Sequence, residues 1–468
     1  MKIYNTLTRK KEDFVPLTPG EARIYVCGVT PYDYSHIGHA RSAVVFDVVR
    51  RWLEYRGFRV TTVRNYTDVD DKIIRRANQE GVSAAEVSRR YIEAEGSDMR
   101  ALGVLPPTVA PKATEHIEGM VALIERLVAK GVAYVVDGDV YFEIRRFPTY
   151  GKLSGKNVDE LLAGARVEVD ERKRDPRDFA LWKATKPGEP AWPSPWGPGR
   201  PGWHIECSVM STRYLGDTFD IHGGGTDLIF PHHECEIAQS EADTGKTFAR
   251  YWLHNGMVNL GAEKMSKSLG NTLTIRDIVR RHDPDALRLW MLGTHYRNPI
   301  EWSEERVREA ARALERFTRL FHDAGTSGDG SPAPAPAAPA GELRALVERF
   351  EAAMDDDFNT PQALGAMFDL SRALYELVDR ARAEAGARDA LAAGVGALRR
   401  LGGALGLFER APADGGPPPE IERLVAERGA ARTRRDWKRS DELRDEIQRR
   451  GWTVEDTPGG PRVTRRGA

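Results

Sequence analysis

A chain of 468 residues, 41% of them hydrophobic, is too long for one ordinary domain; at roughly 150 residues per domain it holds material for about three. Its 69 basic and 70 acidic side chains leave a formal charge of −1, which excludes a global attraction for polyanions, so any nucleic acid must be met by local basic patches. Three cysteines, Cys27, Cys207 and Cys235, scattered over this length, argue against a disulfide scaffold and for metal binding or catalysis.

In chain order, Met1 to Glu12 alternates polar and basic residues without the apolar run of a signal peptide, and nowhere do about 18 apolar residues follow one another as a membrane span requires. The expectation is a cytoplasmic protein with no membrane partner. Ala22 to Gly28 reads as a buried strand around Ile24, Tyr25 and Val26, Arg41 to Tyr55 carries Val44, Val45, Val48, Val49 and Trp52 at helical spacing, and Phe58 to Val63 reads as the next strand. That is the half-unit of a parallel doubly wound sheet, whose ligands bind at the carboxyl ends of the strands, here the loop Val29 to His39. A second strand, Thr218 to His222, runs through Gly223, Gly224 and Gly225 towards a helix entered near Pro231. Between the halves lies an insertion, Thr114 to Arg200, with a strand-like stretch, Val132 to Ile144, and a tryptophan- and proline-rich passage, Glu189 to Pro201.

Beyond Asp283 the pattern turns helical, with Val307, Leu314, Phe317 and Phe321 spaced for one face. Thr326 to Ala340 and Pro412 to Pro419 read as linkers, separated by helices from Glu342 to Phe408 and followed by an arginine-dense tail from Ile421. The predicted fold class is α/β: a Rossmann-type doubly wound parallel sheet split by an insertion, then a helical bundle and a small C-terminal α/β module. The boundaries are 1–113 and 201–255 for the sheet halves, 114–200 for the insertion, 256–325 for a loop and first helices, 341–410 for the bundle and 420–468 for the module.

His36-Ile37-Gly38-His39 falls just ahead of the predicted helix, where unpaired backbone N–H groups and the helix dipole favour an anion such as a triphosphate. Gly38 lets the backbone approach, and two imidazoles three residues apart can donate to phosphate oxygens as charge builds. The alternative is a pair of capping or solvated histidines. Lys264-Met265-Ser266-Lys267-Ser268, followed by Leu269-Gly270-Asn271, sets two ammonium groups on a short loop, suited to a leaving pyrophosphate. Gly245-Lys246-Thr247 is no phosphate loop, because Ser240 stands where that motif requires glycine.

These two motifs, in this order and at this separation, resemble the signature pair of class I aminoacyl-tRNA synthetases. The stretches Tyr25 to Asp33, Asn65 to Lys72, Ser194 to Ser208 and Phe230 to Glu234 are similar to cysteinyl-tRNA synthetase, and the resemblance runs from about Tyr4 to Arg466. It implies activation of L-cysteine by ATP and its transfer to tRNA(Cys). His36, His39, Lys264 and Lys267 are the implied catalytic residues. Contacts to ATP and cysteine are implied at Gly28, Thr30, Gly38, Thr67, Trp203, Gly223, Gly225, Asp227 and Lys267. Magnesium would accompany ATP, and the expected state is a monomer. The segment from Asp285-Ala286-Leu287-Arg288 onward resembles the start of the helical tRNA-binding region, with stem contacts expected in 256–325 and anticodon recognition in 420–468.

His232 and Glu236, four apart on a predicted helix, stack on one face and allow joint ligation of a metal. Two distant thiolates, Cys27 and Cys207, can complete a four-ligand site, but no CxxC spacing points to them. The resemblance supplies the assignment of one zinc to Cys27, Cys207, His232 and Glu236. Cys235 departs from the family, which typically has asparagine there; it either competes as a ligand or packs against its helix. Zinc selects a soft thiolate over a hydroxyl, a separation of near-isosteres that a hydrophobic pocket alone cannot achieve. Trp203 either closes over the cysteine side chain or is a core tryptophan.

In the tail, Arg432, Arg434, Arg435, Lys438, Arg439 and Arg444 interleave with Trp437 and Trp452, which suits phosphate contacts and base stacking; the alternative is a solvated helix with paired charges. Two other functions compete: a mycothiol-pathway ligase joining cysteine to an amino sugar, and an inactive RNA-binding paralogue. A small sugar acceptor needs no arginine-dense tail, and intact His36, His39, Lys264 and Lys267 oppose the second.

Overall fold

The computed structural model describes residues 1–156, 172–260, 273–325, 339–409, 419–457 and 460–465. The two expected linkers fall almost entirely outside the described residues.

The central sheet is built from β1 (Glu21–Val29), β2 (Arg59–Tyr66), β3 (Phe219–Gly225) and β4 (Ala249–Asn255), with α1 (Ile37–Tyr55) between the first two strands and α2 (Trp203–Leu215) and α3 (Glu234–Thr244) flanking β3 in the chain. All pairings are parallel, in the order β4-β3-β1-β2. The chain leaves β1 for β2 on one side and later returns to β3 on the other. The junction of β1 and β3 is therefore the switch point at which such sheets open a ligand crevice. Tyr25 stands opposite His222 and Val26 opposite Gly223, so both sheet halves end at one edge.

Side chains alternate across β1 as the strand period requires. Ile24 and Val26 join a core with Val44, Val45, Val48, Val49 and Trp52 of α1 and with the helical bundle, whereas Tyr25 joins a second core with α2, α3 and the insertion. The insertion is an antiparallel sheet of Ala133–Val136, Asp139–Phe142, Phe179–Ala184 and Gly199–Pro201. The single strand-like stretch expected at Val132 to Ile144 is thus a hairpin. Asp137 and Gly138 both take positive φ, 49° and 84°, the two-residue turn that Asp-Gly favours.

Four helices, Glu304–Asp323, Gly341–Asp355, Thr360–Ala381 and Ala385–Ala404, pack on the α1 side, and Val307, Leu314, Phe317 and Phe321 all face that core. The tail has helices Pro419–Thr433 and Trp437–Arg449 and a hairpin, Trp452–Thr457 with Gly460–Arg465. It has its own core of Ile421, Leu424, Val425, Leu443, Ile447, Trp452 and Val454. Trp452, only 8% exposed, is therefore a core residue and not the stacking platform the sequence suggested; Trp437 is 56% exposed. Several tail arginines are paired: Arg428 and Arg432 with Asp456, Arg439 with Glu442, Arg444 with Asp441. No helix among the described residues is long and apolar enough to cross a membrane.

Candidate active site and metal centre

Helix α1 begins at Ile37 with His36 as its N-cap, so the histidine motif forms the first turn rather than lying ahead of it. His36 Nδ1 accepts from the Gly38 N–H at 3.1 Å, and His39 Nδ1 accepts from the His36 N–H at 3.3 Å. This reciprocal box satisfies two of the N–H groups that a helix start leaves open. It also fixes the tautomer: with Nδ1 as acceptor, each neutral ring carries its proton on Nε2, and the two rings stack at 3.8 Å. Capping and phosphate donation are therefore compatible roles for the same imidazoles. Thr30, Tyr32, Asp33 and Tyr91 line the cleft in front of them. Lys264 and Lys267 lie outside the described residues.

Cys27 at the end of β1, Cys207 on α2, and His232 and Glu236 beside and on α3 converge. One ligand atom from each lies within 4.8 Å of all the others. Cys27 Sγ is 3.8 Å from Cys207 Sγ and 3.4 Å from Glu236 Oε1, which is 3.0 Å from His232 Nε2. Phe230 is extended (φ −140°, ψ 132°), so the helical run is entered at Pro231 as the sequence led one to expect, first as a π-helical stretch and from Glu234 as α3. The donor set fits zinc: two sulfurs, an imidazole and a carboxylate, all at the sheet edge, with Cys207, His232 and Glu236 buried. Burial raises the Cys27 and Cys207 thiols above their usual range, Glu236 adding to the rise, and pushes His232 far down. Crowded neutral thiols of this kind are what a bound cation converts to thiolates.

Sequence reasoning missed the histidines around this quartet. His222 Nε2 lies 2.8 Å from Glu236 Oε2, and His233 Nε2 lies 3.3 Å from Cys27 Sγ. His233 Nδ1 meets His254 Nε2 at 2.8 Å, whose Nδ1 reaches Thr6 Oγ1 at 2.8 Å. His204 Nδ1 touches His232 Nδ1 at 2.8 Å, turning the Nε2 of His232 towards Glu236. The only signal was their crowding about the glycine triplet and the His232-His233 pair. Cys27, His222, His233 and Glu236 form a second cluster of ligand type that shares two members with the first.

Trp203 stacks on His232 at 4.1 Å and is 41% exposed, so it is a rim residue, not a core one. Cys235 faces away from the quartet and lies 3.2 Å from Tyr150 Oη in the second core. Gly28 is required by contact with β2: its N–H donates to Asn65 Oδ1 at 2.9 Å, and a Cβ would fall 1.6 Å from the Asn65 carbonyl oxygen. The Thr67 N–H donates to the Val29 carbonyl at 3.2 Å, closing the same edge. Gly223 and Gly224 lie within β3 rather than in a loop beyond it. Packing already demands both, since a Cβ would meet the Phe46 ring at 2.2 Å and His233 Cε1 at 2.9 Å respectively. Gly225 ends the strand, and Asp227 is exposed on the turn that follows.

A parallel sheet with a histidine-capped helix at its switch point and a catalytic half completed after an insertion is the plan of a class I aminoacyl-tRNA synthetase. The family described as tRNA synthetases class I (C) catalytic domain matches residues 13–312, the DALR domain matches 349–409, and the cysteinyl-tRNA ligase anticodon binding domain matches 414–463. The cysteine–tRNA ligase of Pelobacter propionicus is 54% identical over 489 residues, covering 98% of each chain, and that of Alkalilimnicola ehrlichii is 55% identical over 471 residues, again covering 98% of each. The chain belongs to the cysteine–tRNA ligase family. Among solved structures, a Mycobacterium tuberculosis methionyl-tRNA synthetase in complex with methionyl-adenylate has the same fold, with a TM-score of 0.61 at 16% identity, covering 82% of this chain and 91% of the other. The full-length match, anticodon domain included, does not favour the sugar-ligase alternative.

Proposed function

We propose that the protein activates L-cysteine with ATP to cysteinyl-adenylate and transfers the cysteinyl group to the 3′ end of tRNA(Cys), releasing pyrophosphate and then AMP. The observation that carries this reading is the convergence of Cys27, Cys207, His232 and Glu236 at the edge where His36 and His39 cap α1. In the first step a cysteine carboxylate oxygen attacks the α-phosphorus and the bond to pyrophosphate breaks. In the second, a hydroxyl of the terminal ribose attacks the adenylate carbonyl and AMP leaves. No protein nucleophile is needed, because positioning and charge stabilisation suffice.

Cys27, Cys207, His232 and Glu236 would hold one zinc ion. When bound, the ion supplies a thiophilic position that prefers the substrate sulfur to a serine hydroxyl. Trp203 covers the rim and excludes water. His36 and His39 donate from Nε2 to the phosphates, while Lys264 and Lys267 neutralise the departing pyrophosphate with its magnesium. Gly28, Thr30 and Thr67 shape the amino-acid side of the crevice; Gly38, Gly223, Gly225 and Asp227 shape the nucleotide side.

Labour divides along the chain: 1–113 and 201–255 for catalysis, 114–200 as the connecting insertion, 256–325 for the lysine loop and stem contacts, 341–410 for tRNA binding and 420–468 for the anticodon. We assign a cytoplasmic monomer. The test is charging of tRNA(Cys) with labelled cysteine. Cysteinyl-tRNA that is labile to base is expected, and no acid-precipitable label at saturating ATP would contradict the reading.

A further inference from the structure

We infer that Arg288 is a positioning residue that registers the helical bundle against the helix carrying His36 and His39; this rests on the tRNA-charging reading above. Arg288 lies on α4 (Pro284–Leu292), and Ala385–Ala404 is α5. Its guanidinium is fully buried, and its Nη2 donates to Asp47 Oδ2 of α1 at 2.5 Å. The other donors leave the sheet layer. Nη2 and Nε reach the Leu405 carbonyl just past α5 at 2.9 and 3.2 Å, and Nη1 reaches the Leu102 carbonyl at 3.2 Å.

Three facts make this a junction rather than an ordinary buried pair. First, Asp47 gathers further elements: Oδ2 accepts from Arg51 Nε at 2.8 Å and Oδ1 from the Leu105 N–H at 2.9 Å, while Arg51 continues to Glu409 Oε1 at 2.5 Å and the Gly403 carbonyl at 3.2 Å. Two guanidiniums and two carboxylates thus tie α1 to the 402–407 turn and to Glu409 just beyond it. Second, the turn is shaped around the guanidinium, since Gly406 has φ +68° and a Cβ there would fall 2.1 Å from Arg288 Nη2. Third, Asp285, one helical turn before Arg288, accepts from the Phe408 N–H at 3.0 Å. The Asp285-Ala286-Leu287-Arg288 motif therefore grips one turn of the bundle by an N–H and a C=O while Ala286 and Leu287 fill the core beneath.

Asp47 stands about three turns, roughly 16 Å, along α1 from His36 and on nearly the same face. The junction holds the bundle against α1 without touching its first turn, so a tRNA seated on the bundle is presented to the histidine cleft at a distance this junction sets. Arginine is required because one planar fork serves two carbonyls and a carboxylate, which a lysine ammonium on a flexible stem cannot.

The experiment compares Arg288→Lys and Gly406→Ala with the unaltered protein in cysteine-dependent pyrophosphate exchange and in tRNA charging. Exchange kcat within about threefold of the unaltered protein, with kcat/KM for tRNA lowered about tenfold or more through KM, is the expected split. A merely structural role would lower both reactions in proportion to the folded fraction; that result, or no change in either, overturns the inference. Gly406→Ala keeps every charged side chain, so it decides the matter even where Arg288→Lys yields no soluble protein. An inactive unaltered protein would overturn the functional reading and this inference together, whereas an active one without the split overturns the inference alone.

Discussion

The backbone N–H of Ile37 donates to the carbonyl of Leu273 at 3.0 Å, and Ile275 returns a bond to the Ser35 carbonyl at 2.9 Å. The first turn of α1 and the chain six residues beyond Lys267 are therefore one hydrogen-bonded unit. This bridge, with His36 opposite Thr274, holds the start of α1 against the chain that follows the second motif in sequence, more than two hundred residues after the first.

Lys267 is expected to act chiefly as charge develops on the leaving group. Lys267→Ala should lower kcat for adenylate formation by about 10² while changing the KM for cysteine little. Pyrophosphate exchange measures both constants, and an unaltered kcat would remove the loop from the chemistry.

His36 has two separable duties. His36→Ala loses the cap and the Nε2 donor together, so both stability and rate should fall, the former by about 1 kcal/mol. His36→Asn keeps a good N-cap. It should therefore restore the melting temperature while exchange stays slow, and recovery of full rate by asparagine would show that the imidazole is not used.

The four candidate ligands make a metal prediction. Cys207→Ala should lose zinc by elemental analysis and lose cysteine activation with it. Cys235→Ala should keep one zinc per chain and lose about 1 kcal/mol of stability as its contact with Tyr150 Oη disappears. Loss of zinc from the Cys235 variant would mean the ligand set is wrong.

Much of the sheet was legible because β1 and α1 are long apolar patterns of unmixed period: Ile24, Tyr25 and Val26 in one, Val44 to Trp52 in the other. The metal quartet was not legible from spacing, since Cys27 and Cys207 lie 180 residues apart and meet only where α2 packs against β1. His222, His233 and His254 escaped notice for a related reason: buried histidines leave no periodic trace, and their partners come from four different elements. Gly223 and Gly224 have a packing reason that the sequence does not disclose, since Phe46 and His233 occupy the space a side chain would need. The burial of Trp452 is not legible in the sequence, because residue type alone does not say which face of a short strand meets the small tail core.

That separate tail core, Ile421 to Val454, lets the module be removed without exposing either main core. A chain ending near Ala411 should retain cysteine-dependent exchange and lose most tRNA charging, as anticodon and salt-sensitive phosphate contacts go together. Both activities are to be read on the same sample; full charging would detach the tail from tRNA, and loss of both would make it a stabilising element.

The central claim is that the crevice beside Cys27, Cys207, His232 and Glu236 selects a thiol. It is tested most directly by ATP–pyrophosphate exchange with cysteine and with serine, each measured on zinc-replete protein and after chelation. The account predicts exchange with cysteine alone, lost on chelation and restored by zinc, with serine at background throughout. Comparable exchange with both amino acids, or cysteine exchange indifferent to the chelator, would contradict it.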